Sequence, residues 1–258
     1  MEETQFTSNQ NTGVQKTQSL AIPISIILGF GLIAAAIFFS GKGAGAPVVM
    51  PNIGDTPSPT EQGSPEAINP VTEDDHIRGN PNAQLVLVEY SDYDCPFCKN
   101  FHETMNQVME EYGEDGRVAW VYRHFPLEQL HPNAPRIAQS AECVAKLGGN
   151  DAFWSFSDLI FGERETNAQT NPVLIPDFAV ASGVELDAFN SCLESGETKG
   201  EVEEDFTNAI AIGGRGTPHT IVMVGGQQAP INGAQPFEVV KTMIDNLLAQ
   251  LDGGSVAQ

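Results

Sequence analysis

The sequence predicts an α/β domain that is interrupted by an all-helical insertion and preceded by one membrane-spanning segment. Three observations carry this reading. Residues 85–90 and 117–123 are short runs rich in β-branched and aromatic side chains, with an amphipathic helical pattern between them. That is the order of a βαβ unit with parallel strands. Only helical patterns follow over about residues 131–212, after which strand character returns at residues 220–224. Gly225-Gly226 can then turn a tight hairpin into a short strand near residues 229–231, ahead of a closing helix.

Residues 1–19 are polar, without hydrophobic periodicity, and read as a short cytoplasmic tail. Residues 20–40 carry no charged side chain and are long enough to cross a bilayer once as a helix. Ala44-Gly45-Ala46 has the small residues of a signal cleavage site, but Pro47 would follow the cut and the apolar segment is longer than a signal core. An uncleaved anchor is therefore expected. Residues 41–70 are dominated by Pro, Gly, Ser and Thr and read as a linker, which as a flexible coil would span about 30 Å. The folded domain is expected over residues 71–252, with residues 253–258 as a tail.

Within that domain, Phe101, Met105, Val108, Met109 and Tyr112 recur at helical spacing after the first strand, and Gly113 stands where the helix would stop. Pro96 suits the first turn, where a missing N–H goes unfelt. The insertion divides into helical patterns at residues 134–147, 151–161, 176–181, 186–193 and 201–212. In the last helix Val240, Met243, Ile244, Leu247 and Leu251 form one apolar side.

The junction of the first strand and first helix carries Cys95 and Cys98. A Cys-x-x-Cys there reads as a redox dithiol. At a helix N-terminus, unpaired N–H groups and the helix dipole favour an anion, so the Cys95 thiol should ionise readily. Cys98, one turn in, can attack a mixed disulfide formed at Cys95. A zinc ribbon would need a second Cys-x-x-Cys or a Cys/His pair, and neither Cys143 nor Cys192 belongs to one. Adding His102 leaves such a site short, so no metal is expected. The chain has 34 Asp and Glu against 12 Lys and Arg, for a net charge of −22. This balance argues against nucleic acid and anionic membrane surfaces as partners.

Several motifs then stand in a telling order: Val88-Glu89-Tyr90-Ser91 leading to Cys95-Pro96-Phe97-Cys98, His124-Phe125-Pro126-Leu127, Phe153-Trp154 in the insertion, and Gly216-Thr217-Pro218 before the hairpin. Together they resemble the DsbA-like thiol:disulfide oxidoreductases. The resemblance implies a thioredoxin fold, a central mixed sheet flanked by helices, with an inserted all-helical subdomain. It further implies Cys95 as nucleophile, Cys98 as resolving thiol, and a cis Pro218 facing the dithiol. Thr217 and Pro218, with Pro96 and Phe97 between the cysteines, would hold an extended substrate segment by β-augmentation. Glu89, six residues before Cys95, matches the acid that moves the proton of the buried cysteine; a strand-end glutamate that reaches water is the other reading.

By the same resemblance, the chain would form disulfides in secreted or envelope proteins, with a reductase or isomerase on the same fold, or a non-catalytic membrane-tethered peptide-binding module, as the alternatives. No cofactor is implied, and recycling would fall to a membrane quinone-linked protein. A dithiol oxidase belongs on the oxidising, non-cytoplasmic side of a cell membrane. In that compartment Cys143 and Cys192 suggest a structural disulfide between two insertion helices, with two free buried thiols as the alternative. Phe97 departs from the best-known oxidase, which has a histidine there. Asp92 and Asp94 are expected to be exposed and to oppose Cys95 ionisation. His102 and His131 are expected in surface or capping roles, and Phe153 and Trp154 in the core.

Overall fold

The computed structural model describes residues 68–165 and 167–254. The predicted tail at residues 1–19, the span at residues 20–40, most of the linker and the last four residues lie outside the described residues. Among the described residues no helix is long and apolar enough to cross a membrane.

Five strands form one sheet in the order β1-β3-β2-β4-β5. The elements are β1 (His76–Gly79), β2 (Leu85–Ser91), α1 (Pro96–Tyr112), β3 (Val118–His124), α2 (Ala134–Glu163), α3 (Ile175–Ala181), α4 (Leu186–Ser195), α5 (Lys199–Ala211), β4 (His219–Val224), β5 (Gln227–Asn232) and α6 (Phe237–Gly254). β2 and β3 pair in parallel across the α1 crossover, with Leu85 opposite Val118 and Ser91 opposite His124. β1, β4 and β5 join antiparallel, so the sheet is mixed. The hairpin turn at Gly225 and Gly226 has positive φ at both residues (56° and 76°), a conformation that β-carbons disfavour.

Alternation along β2 sorts its side chains between two cores. Leu85 and Leu87 join Trp120 and Tyr122 of β3 under α1, α6 and the aromatic stretch of α2. Val88 and Tyr90 point the other way, with Val121, Phe125 and Ala209 of α5. Phe153 and Trp154 are core residues, as expected.

Three element boundaries depart from the sequence reading. β1 was not expected, because a four-residue strand containing His76 and Arg78 has little β signal and is recruited by pairing with β3. The two helices expected at residues 134–147 and 151–161 are both present within α2, separated at Gly149, whose φ of 79° is not helical. The linker ends earlier than residue 70: Ile68 is buried, and the Asn69 N–H donates to Asn208 Oδ1 at 3.1 Å. Arg123 reinforces this by donating to the carbonyls of Asn69 and Pro70 and to Asp75. At the other end α6 continues to Gly254, past the expected limit at residue 252.

Candidate active site

β2 delivers the chain into the site, and α1 begins there. Cys95 is the N-cap of α1 in extended backbone (φ −72°, ψ 126°), followed by Pro96 in the first turn. Its sulfur lies 3.5 Å from the carbonyl oxygen of Thr217. The Thr217–Pro218 peptide bond is cis. The structure therefore brings Cys95, Cys98, Thr217 and Pro218 together from opposite ends of the domain. Phe97, by contrast, is 62 % exposed, so its ring faces solvent beside the dithiol.

The two thiols are free and electrostatically unequal. The Cys98 thiol and the N–H groups of Cys98 and Phe97 hydrogen-bond to the Cys95 sulfur. Against the opposing effect of burial, they lower its pKa from the ordinary 9.0 to about 6. Cys98 is fully buried, and desolvation together with the neighbouring Cys95 pushes it well above its ordinary value. At neutral pH the Cys95 sulfur is thus the thiolate and the Cys98 sulfur the thiol.

Glu89 sits beneath this pair with no exposed surface and does not reach water. Burial raises its pKa from 4.5 to about 7. Oε2 accepts a hydrogen bond from Trp120 Nε1 at 3.0 Å, while Oε1 has no partner among the described residues. Its charge also contributes to raising Cys98. A carboxyl group that changes protonation near neutrality therefore lies within electrostatic reach of the resolving thiol.

Asp92 and Asp94 correct the expectation that they are exposed. Both are buried, and their carboxylates are turned into backbone donors. Asp92 Oδ1 accepts from the Asp94 N–H, and Oδ2 accepts from the Leu127 N–H and pairs with His131 Nδ1, all at 2.8 Å. Asp94 Oδ1 accepts from the Thr170 N–H at 2.7 Å. They organise the loop ahead of α1 and fasten it to two neighbouring segments. His131 thus supports the active-site loop through Asp92. His102 is likewise not a surface residue: it is buried in α1 and pairs with Asp158 of α2 at 2.7 Å.

Two basic residues at the site escape the sequence reading. Arg164, just past α2, is buried and donates to the carbonyls of Asp94 (3.2 Å), Cys95 (2.9 Å) and Ala168 (2.9 Å). It sets a guanidinium beside the start of α1, where its charge favours a thiolate at Cys95. Lys99, one residue after Cys98, donates to the Phe161 carbonyl and ties α1 to α2. No local pattern announces either contact. The one available signal is the scarcity of basic residues, which makes an isolated Arg164 among acids worth questioning.

Within the insertion Cys143 of α2 and Cys192 of α4 are bonded as a disulfide. Away from the dithiol, and among the described residues, the fold gathers His76, His124 and Glu142 as potential metal ligands.

Residues 71–246 match the family model described as Thioredoxin, and the chain belongs to that family. Its fold is that of DsbA structures. Wolbachia pipientis alpha-DsbA1 superposes with a TM-score of 0.60 at 21 % identity, covering 70 % of this chain and 94 % of that one. BdbD from Bacillus subtilis, in its oxidised form, gives 0.59 at 21 % identity over 68 % and 93 % of the two chains. Among curated proteins, a protein from Mycolicibacterium gilvum named Na(+)/H(+) antiporter NhaA 1 is 32 % identical over 173 residues. That match covers 66 % of this chain but 27 % of the relative, so the chain spans about a quarter of the curated relatives it matches.

Proposed function

We propose that this chain is a thiol:disulfide oxidoreductase that forms disulfides in secreted or envelope proteins, held at a membrane by residues 20–40. The observation that supports it best is the inequality of the dithiol. Cys95 is a stabilised thiolate at a helix N-terminus facing the Thr217 carbonyl, over a buried, protonated Cys98.

In the oxidised protein a substrate thiolate attacks the Cys95 sulfur. The Cys95–Cys98 bond breaks, and Cys98 leaves with the electron pair. Glu89, titrating near neutrality, supplies the proton that the buried Cys98 needs to leave as a thiol. A second substrate thiolate then attacks the substrate sulfur of the mixed disulfide and expels Cys95, whose low pKa makes it a good leaving group. Two electrons have moved from substrate to dithiol. The exchange needs no bound cofactor, and a membrane quinone-linked protein on the non-cytoplasmic side removes the electrons. Thr217, cis Pro218, Pro96 and the exposed ring of Phe97 hold the substrate segment next to Cys95. The transport named for the antiporter relatives is not carried over, because most of their length has no counterpart in this chain.

Replacing Cys98 by Ala tests the roles. That variant should accumulate mixed disulfides through Cys95, whereas Cys95→Ala should accumulate none. Equal trapping by both would remove the assignment. Equilibration of the wild-type dithiol with a glutathione buffer tests the direction. A potential at or below about −270 mV, the reference value for thioredoxin, would make the protein a reductase.

A further inference from the structure

His76, on the edge strand β1, and His124, at the end of β3, stand 66 and 18 residues from Glu142 of α2, yet the fold points all three at one spot. Nε2 of His76 lies 2.8 Å and Nε2 of His124 2.7 Å from the same oxygen, Glu142 Oε1. The three residues are buried, and their donor atoms all lie within 4.8 Å of one another. Both rings are held in orientation by packing. His76 stacks on Phe153, with centroids 3.5 Å apart and planes at 12°, and His124 meets Tyr122 edge-on.

We infer that His76, His124 and Glu142 form a binding site for one divalent transition cation of the zinc type, which ties β1, β3 and α2 together. Two imidazole nitrogens and a carboxylate oxygen are a borderline donor set. It suits zinc and its neighbours and ill suits calcium or magnesium, which prefer oxygen throughout. Access comes from an adjoining cavity of about 890 Å³ that both His76 and Glu142 line. Six further acids line it against Arg123, which pairs with Asp75, and Lys146, so a cation entering from solvent still meets a net negative field and can take its remaining ligand from the cavity side. Glu142 adjoins Cys143 of the insertion disulfide, so cation and disulfide would brace the same helix.

Full-length protein is stripped with chelator and dialysed against zinc, with Cys95 and Cys98 oxidised so that no free thiol competes for the metal. One zinc per chain should remain bound, and calcium or magnesium in large excess should not displace it. Cobalt in place of zinc should give visible absorption, a readout that needs no variant. Glu142→Gln and His76→Gln should each weaken zinc binding by about 100-fold or more, since even outer-shell losses cost about 10- to 100-fold. Circular dichroism identifies which of them remain folded. Three results would overturn the inference: less than one zinc per wild-type chain with no cobalt absorption, undiminished binding by a folded variant, or displacement by calcium. The first would leave the cluster as a pair of histidines hydrogen-bonded to an acid, the second would place the zinc elsewhere on the chain, and the third would make the site one that prefers oxygen ligands.

Discussion

Replacing Glu89 by Gln separates the energetic cost of a buried acid from every other property of the site. Burial moves the carboxyl from 4.5 to about 7. At about 1.4 kcal/mol per pH unit, that difference is about 3 kcal/mol. The sign follows from proton binding. The folded state holds the Glu89 proton more tightly than the unfolded chain does, so its contribution is intact below pH 4.5 and is lost as pH rises through about 7. Gln cannot ionise and loses nothing over that range. It also keeps a carbonyl oxygen that can accept from Trp120 Nε1, the partner of Glu89 Oε2. Urea unfolding of both proteins at about pH 4 and about pH 8, with the dithiol reduced, gives the four stabilities required. The Gln variant should gain about 3 kcal/mol relative to wild type on going from acid to alkaline conditions. Any constant effect of the amide cancels in this difference, and the Cys95 titration occurs in both proteins. A gap that changes by less than about 1 kcal/mol, or in the opposite direction, would show that Glu89 titrates like an exposed carboxylate. The proton route to Cys98 would then fail with it.

Thiolate absorbance of the reduced protein should titrate with a midpoint near 6 for Cys95. Arg164→Gln should raise that midpoint, because a buried positive charge beside the Cys95 carbonyl is removed; an unchanged midpoint in a folded variant would limit Arg164 to fastening the loop. The same depressed pKa stabilises the reduced fold fully above pH 9 and not at all below about 6, so the advantage of the reduced form should shrink across that range on acidification. Replacing both Cys143 and Cys192 by Ala opens a loop with a sequence separation of 49, and denaturation should show a loss of about 4 kcal/mol in the chain-entropy model. A loss below about 1 kcal/mol would mean that packing of α2 against α4 holds the insertion unaided. Phe97→His should make the dithiol more oxidising, because an imidazole contact to the thiolate of about 1 to 3 kcal/mol corresponds to a few tens of millivolts; a potential equal to wild type would show that the side chain at this exposed position does not reach the Cys95 sulfur.

Whatever depends on neighbours in the chain could be read from the chain. The β-branched and aromatic run at residues 85–90, the 3.6-residue spacing from Phe101 to Tyr112, and Pro96 directly after Cys95 are local signals, and they place the dithiol at a helix start. The helical block and the Gly225-Gly226 hairpin were legible for the same reason. The facing of Cys95 and Pro218 was legible only through resemblance, since 122 residues separate Cys95 from Thr217 and no periodicity spans that distance. Tertiary structure alone decided the electrostatics. Asp92 and Asp94 look like solvated acids in sequence, but folding buries them and turns their oxygens toward N–H groups of Leu127 and Thr170, so that they fasten the active-site loop. Arg164 is one charged residue among many until the end of α2 sets it on the Cys95 carbonyl. The meeting of His76, His124 and Glu142 needs the register of β1 on β3 and the seat of α2 above them, which is information that no single segment of the chain contains.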